Sequence, residues 1–228
     1  IFAWTIFDAT FQVYDEQGKH LRTLPMHNKR KDEYLYITDF INLDDNRLLC
    51  SSHNIKGYAV HYLQDKKTGL TTIVDSIPNE RYVNQYIFAE KDGVTYSTAP
   101  NLIPFVRTSE GLVYADHSND TLYRMTDGMT PSPFIVRTPR VKETDPNIIL
   151  RFDNETDDWM FLSGIEMAYD FSKNEGLHQT NYGVEKVSGE IYGMKFIHPD
   201  YAGKEYRPTA LNAHYYPADE LLTALEEG

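Results

Sequence analysis

Two short polar segments hold the residue types that bind ligands: Ser51-Ser52-His53-Asn54-Ile55-Lys56 and Asp116-His117-Ser118-Asn119-Asp120. Each follows an apolar run, Leu48 to Cys50 in one case and Leu112 to Ala115 in the other. His53, Asn54 and Lys56 on one segment, with His117, Asn119 and Asp120 on the other, form a candidate site for a polar ligand or a metal, since imidazole accepts, donates and ligates near neutral pH. The same Ser, Asn and Asp residues also cap tight turns by bonding to nearby backbone groups. Both readings stand at this point.

The remaining histidines, at 20, 27, 61, 178, 198 and 214, show no H-x-x-x-H or H-E-x-x-H spacing, so local sequence supports no zinc site. Asp153-Asn154-Glu155-Thr156-Asp157-Asp158 is dense in oxygen ligands but lacks the central Gly and distal Glu of an EF-hand loop, and reads better as a solvated turn. There is no Gly-rich phosphate loop, no G-x-S-x-G elbow and no Cys/His nucleophile pattern. No catalytic residue and no cofactor is assigned. The single cysteine, Cys50, reads as a small apolar strand residue. Trp4 and Trp159 fall in expected strands, where large aromatics are more often core than sugar platforms.

The elements that would position these residues recur. An apolar-aromatic strand, a polar turn closed by Gly and a second strand appear at Phe11–Leu24, Tyr58–Val74 and Thr121–Val136, and a fourth copy is expected at Met167–Gly176. The turn glycines are Gly18, Gly69, Gly128 and Gly176, placed where hairpins commonly need positive φ. An earlier hairpin precedes the repeated one in three units, around Asp44-Asp45-Asn46, Ser109-Glu110-Gly111 and Asp157-Asp158. Two hairpins in about 50 residues make a four-stranded antiparallel sheet, which at that period reads as a propeller blade. Tyr86–Ser97 is left over, either as an extra hairpin or as a divergent blade. The alternative architecture is one twisted β-sandwich. Pro217–Glu226 alone shows helical spacing and is expected to form a short amphipathic C-terminal helix.

Composition narrows the field further. The chain has 228 residues, a formal charge of −12, 41% hydrophobic and 25% charged residues, 17 Tyr and 11 Phe. Those proportions suit a globular protein, and the aromatic content suits pleated strands. No apolar run approaches the ~20 residues needed to span a bilayer. An acidic surface repels phosphate backbones, which argues against nucleic acid as a partner.

The segments Val13-Tyr14-Asp15-Glu16-Gln17-Gly18-Lys19 and Asn119-Asp120-Thr121-Leu122-Tyr123-Arg124, then Asp127-Gly128 and Pro133, resemble six-bladed β-propeller proteins found as secreted lipoproteins of gut Gram-negative bacteria, relatives of the NHL and TolB-like propellers. The ending Asp219-Glu220-Leu221-Leu222 is similar too. The resemblance implies an all-β, single-domain propeller over 1–228, a periplasmic or outer-surface location with a lipid anchor upstream of Ile1, and a binding role without transferable catalytic residues. Six blades at ~50 residues need about 300, so either N-terminal blades precede this sequence or the ring is smaller.

The expected function is therefore non-catalytic binding of a protein or carbohydrate at a rim or central funnel. Two other classes remain: a propeller hydrolase or lyase acting on carbohydrate-like substrates through inward carboxylates and histidines, and a scaffold docking a partner on its outer strands. An enzyme calls for converging acids of perturbed pKa in a deep pocket, and a scaffold for an exposed apolar patch.

Overall fold

The computed structural model describes residues 1–5, 10–24, 36–53, 59–77, 81–126, 130–173, 176–197 and 205–206. The expected helix over 217–226 and the turn glycine Gly128 lie outside them. The chain divides into two compact units, Ile1–Tyr82 and Val83–Gly228.

In the first unit, β1 (Phe2–Thr5), β2 (Thr10–Tyr14) and β3 (His20–Leu24) form a three-stranded sheet. It is followed by a four-stranded one made of β4 (Tyr36–Asn42), β5 (Arg47–His53), β6 (Ala59–Asp65) and β7 (Thr71–Ile77). In the second unit, β8 (Ile87–Lys91) and β9 (Val94–Thr98) form a separate hairpin. Then come β10 (Phe105–Thr108), β11 (Gly111–Tyr114), β12 (Thr121–Met125) and β13 (Ser132–Val136) as one sheet. A second is made of β14 (Ile148–Glu155), β15 (Trp159–Glu166), β16 (His178–Glu185) and β17 (Ile191–Met194). A 3-10 turn at Val141–Glu143 joins the two, and β18 (Phe196–Ile197) pairs with β19 (Glu205–Tyr206). No α-helix occurs among the described residues. The protein is all-β, and the three four-stranded sheets among the described residues are antiparallel meanders with strands in chain order.

The Tyr86–Ser97 segment is thus an extra hairpin, closed by Asp92 (φ +54°) and Gly93 (φ +74°). Two successive positive φ values match the right-handed strand twist, and Asp-Gly adopts them readily.

One repeat differs from expectation. Met167 to Lys173 forms no strand, and the Gly176 bend lies between β15 and β16. The turn that matches Asp65–Gly69 is Glu185–Gly189. In each, the glycine N–H donates to the carbonyl of the leading acid at 2.8 Å, with φ +72° at Gly69 and +73° at Gly189. The composition of Lys173-Asn174-Glu175-Gly176 is that of a turn, but strand register, which decides, follows from pairing partners far along the chain.

Pairing shows a regularity hidden by sequence distance. A cross-strand row of Phe, a variable residue and Tyr runs through each meander: Phe40–Cys50–Tyr62, Phe105–Tyr114–Tyr123 and Phe152–Leu162–Tyr182. Directly opposed aromatic and apolar side chains are what stabilise a pleated pair. In the first unit Phe40 and Cys50 pack with Phe11, Leu24, Leu48 and Tyr62, and Phe11 meets Phe40 edge to face at 4.8 Å. Cys50 is fully buried, so burial pushes its thiol pKa up, as it does the Tyr62 phenol beside it. In the second unit Val106, Val113 and Leu122 of one sheet close on Phe152, Leu162 and Val184 of the other. Each such side chain contributes roughly 1.5–3 kcal/mol by leaving water. The fourth strands are exposed or half-exposed except at Ile77, and β13 carries Pro133, which suits an edge where no ladder N–H is required.

Candidate functional site

In a meander the links from strand two to three and from strand four to the next sheet share one end, and the hairpins joining one to two and three to four share the other. In the second unit the first end holds Ala115–Asp120, Arg137–Asn147 and the segment starting at Met167. The opposite end holds Ser109-Glu110, Thr156–Asp158 and Lys186–Glu190.

His117, Asn119 and Asp120 lie on the first end, each with one polar side-chain atom bound to backbone. His117 is buried; its Nε2 is 2.7 Å from the Val83 carbonyl, which only accepts, so Nε2 carries the proton. Nδ1 then faces Asp116 Oδ1 at 3.7 Å. Asp116 Oδ1 accepts from the Ser118 N–H at 2.8 Å, and Ser118 Oγ accepts from the Val83 N–H at 2.9 Å. Asn119 Oδ1 accepts from the Thr121 N–H, and Asp120 Oδ1 from the Val141 N–H at 2.7 Å. These side chains tie three loops together. His53 ends β5, opposite Tyr36 and Ala59; its side chain, Asn54 and Lys56 lie outside the described residues. His53 and His117 belong to different units.

Sequence reasoning missed a polar row beside each aromatic one in two sheets: Asp39–Ser51–His61 in the first unit and Arg151–Ser163–Asn181 in the second. The second is a connected network. Arg151 Nε donates to Asp153 Oδ1 at 2.5 Å, its Nη1 to the Asn101 carbonyl at 2.8 Å and its Nη2 to Ser163 Oγ at 3.3 Å. Gln179 Nε2 donates to Ser163 Oγ at 3.1 Å and to Asn181 Oδ1 at 2.8 Å. Ser163 Oγ lies within reach of both Asp153 Oδ2 and Asn181 Oδ1, but one hydroxyl proton serves one acceptor at a time. Burial raises the Asp153 pKa, against the pull of the Arg151 charge and the Ser163 hydroxyl. The strand alternation Ile149-Leu150-Arg151-Phe152-Asp153 was the available signal, since it puts charged residues at every second position of a buried strand.

The turn end holds a second charged group. Arg124 donates through Nη2 to both oxygens of Glu155 (2.8 and 2.7 Å) and through Nη1 to Glu110, with its guanidinium 3.6 Å over the Phe134 ring. Lys186 Nζ reaches Glu110 at 2.7 Å and Glu155 at 3.0 Å. The Lys186 hydrogen bond, aided by Arg124, holds the Glu110 carboxyl below its ordinary pKa. These four residues join the two four-stranded sheets of the unit. Glu155 and Asp153, the oxygen-rich segment of the sequence, are thus committed to arginines. Among the described residues no three of His, Cys, Asp and Glu gather as a metal site.

The first end carries a solvent-facing aromatic cluster. Tyr96, Tyr169 and Phe171 form a triangle with ring centroids 5.8, 5.3 and 4.7 Å apart. Lys91 Nζ lies 5.0 Å from the Phe171 centroid. Tyr86, Phe88 and Val94 on the same hairpin are exposed. Gly176 permits the turn behind Tyr169, because a Cβ there would stand 2.7 Å from that ring. Nearby, half-exposed His178 and Glu166 pair at 2.8 Å, and the Ser172 hydroxyl and N–H lower the Asp170 pKa. Only the tertiary fold brings the hairpin and the β15–β16 connection together.

No family model matches the chain, and no curated protein matches it in sequence. No helix among the described residues is long and apolar enough to cross a membrane.

Proposed function

We propose that the chain is part of a β-propeller, related to the secreted six-bladed lipoproteins it resembles, that works outside the cytoplasm as a binding module rather than an enzyme. Three four-stranded meanders with one repeated aromatic row and exposed fourth strands support the propeller reading. Ligand or partner recognition falls at the loop end of the blades. The observation that carries this is the cluster of rings Tyr96, Tyr169 and Phe171 at the loop end of the second unit, partly open to solvent beside the half-exposed His178–Glu166 pair. On this reading His117, Asn119 and Asp120 hold the rim in shape, and neighbouring exposed groups make contact.

Two measurements test the reading. An experimental structure is expected to relate β4–β7, β10–β13 and β14–β17 by successive rotations about one axis; two stacked layers would overturn the propeller. Titration with a panel of oligosaccharides and peptides, followed by backbone amide shifts, is expected to perturb 81–86, 96–104, 115–120 and 166–173 without turnover. Perturbation confined to 109–110, 156–158 and 186–190, or hydrolysis of a glycoside in the panel, would overturn it.

A further inference from the structure

We infer that the aromatic triangle of Tyr96, Tyr169 and Phe171 is a recognition site for a small organic ammonium compound, a quaternary amine of the choline type. The inference rests on the binding role proposed for the loop end and names the ligand chemistry there.

The π faces of Phe and Tyr carry negative potential and attract a cation placed within about 6 Å of the ring centroid. Three such rings crowd together with their planes 47° to 88° apart, so they offer differently directed faces rather than one flat platform for a sugar ring. Tyr96 and Phe171 are only partly covered, at 36% and 43% exposure. The protein itself shows where a cation rests: the Lys91 ammonium sits 5.0 Å from the Phe171 centroid. Lys91 is an exposed residue on a two-stranded hairpin, so its side chain can swing into water when another cation takes the ring face.

Charge favours the same class of ligand. The net charge is −12. Glu90 and Asp92 adjoin Lys91 in the chain and Asp170 adjoins Tyr169, and a net negative protein draws cations toward its surface. Quaternary amines hold their charge over the whole pH range and shed water more easily than a lysine ammonium, which gives them the advantage over Lys91 on a ring face. Lys91 is in effect an intramolecular competitor, and removing it should strengthen binding.

The test uses choline as probe and 3,3-dimethylbutan-1-ol, the same shape without the charge, as control, with ring and amide shifts of the whole chain as readout. Choline is expected to shift Tyr96, Tyr169 and Phe171 at concentrations where the neutral isostere does not. Lys91→Met is expected to tighten choline binding about two- to fivefold, the range of one exposed cation–π contact. Phe171→Leu, which keeps an apolar side chain but loses the π face, is expected to weaken it by a similar factor or more. Unfolding curves superimposable on the parent's establish that both exposed-site variants fold. Equal response to the isostere, or unchanged or weaker binding in Lys91→Met, overturns the inference. If choline fails while the oligosaccharide and peptide panel still perturbs the loop end, the ammonium assignment falls and the broader binding role stands; silence from both removes both.

Discussion

Lys66 in the first unit and Lys186 in the second occupy the same step of the same turn, and their side chains meet opposite fates. Each follows an acid that ends a third strand, and each donates its backbone N–H at 2.8 Å to a carbonyl of the adjacent hairpin, Asn46 or Asp158. Lys66 Nζ then bonds to Asn42 Oδ1 at 2.6 Å and to the Asp44 carbonyl, and lies 4.8 Å from the Phe2 ring centroid. Lys186 Nζ faces two carboxylates instead. Desolvation lowers the Lys66 pKa, with Asp44 and Asp45 only partly offsetting it. Desolvation acts on Lys186 as well, but hydrogen bonds to Glu110 and Glu155 outweigh it and the pKa rises. A shared backbone turn therefore does not set a side chain's charge balance; the neighbouring strand does.

The comparison breaks most sharply at Glu155, whose side chain is fully buried between Arg124 and Lys186. Glu155→Ala leaves Arg124 buried with only Glu110 for an ionic partner. We expect a loss of about 3–5 kcal/mol in urea unfolding, the usual cost of stripping one partner from a buried pair. A loss below about 1 kcal/mol would mean the network holds nothing together.

A smaller effect separates the two lysines. Lys186→Met should cost about 1–2 kcal/mol, as expected for charged hydrogen bonds, and Lys66→Met at least ~1 kcal/mol less. Their pH dependence should run in opposite directions. The raised pKa of Lys186 makes its contribution full below the unfolded value of about 10.5 and lost as pH rises through the folded value. The depressed pKa of Lys66 makes the parent gain stability relative to Lys66→Met as pH climbs from the folded value toward about 10.5. Parallel pH profiles for the two variants would refute the contrast.

The smallest effects fall on the turn glycines. Gly69→Ala and Gly189→Ala each force a left-handed residue, costing about 1 kcal/mol. Gly69 is buried, whereas Gly189 is exposed with open space where a Cβ would stand, so the loss at Gly69 should equal or exceed that at Gly189; a smaller loss at Gly69 in thermal or urea unfolding would refute this.

The strands were legible where their chemistry is local. Asp15 and Asp65 each gather backbone N–H groups at the heads of their turns, as Asx residues do, and alternation with aromatics marked the flanking strands. Register is less legible, which is why turn composition points to Gly176 where the fold uses Gly189. The candidate residues His117, Asn119 and Asp120 were visible as polar loop residues, but their hydrogen bonds run to Val83, Thr121 and Val141. Two of those acceptors and donors are 34 and 21 residues away, a distance no local pattern spans. The aromatic triangle is hidden for the same reason, because Tyr96 and Phe171 are remote in sequence.

By itself the sequence determined the all-β class, the hairpin rhythm and the acidic surface, since turn chemistry, alternation and charge are properties of neighbouring residues or of simple counts. Tertiary structure alone decided which strands pair in which register, which carboxylates became buried partners of arginine, and which rings met at the surface. Those outcomes depend on packing between segments tens of residues apart, where a shift of one residue turns every side chain to the other face.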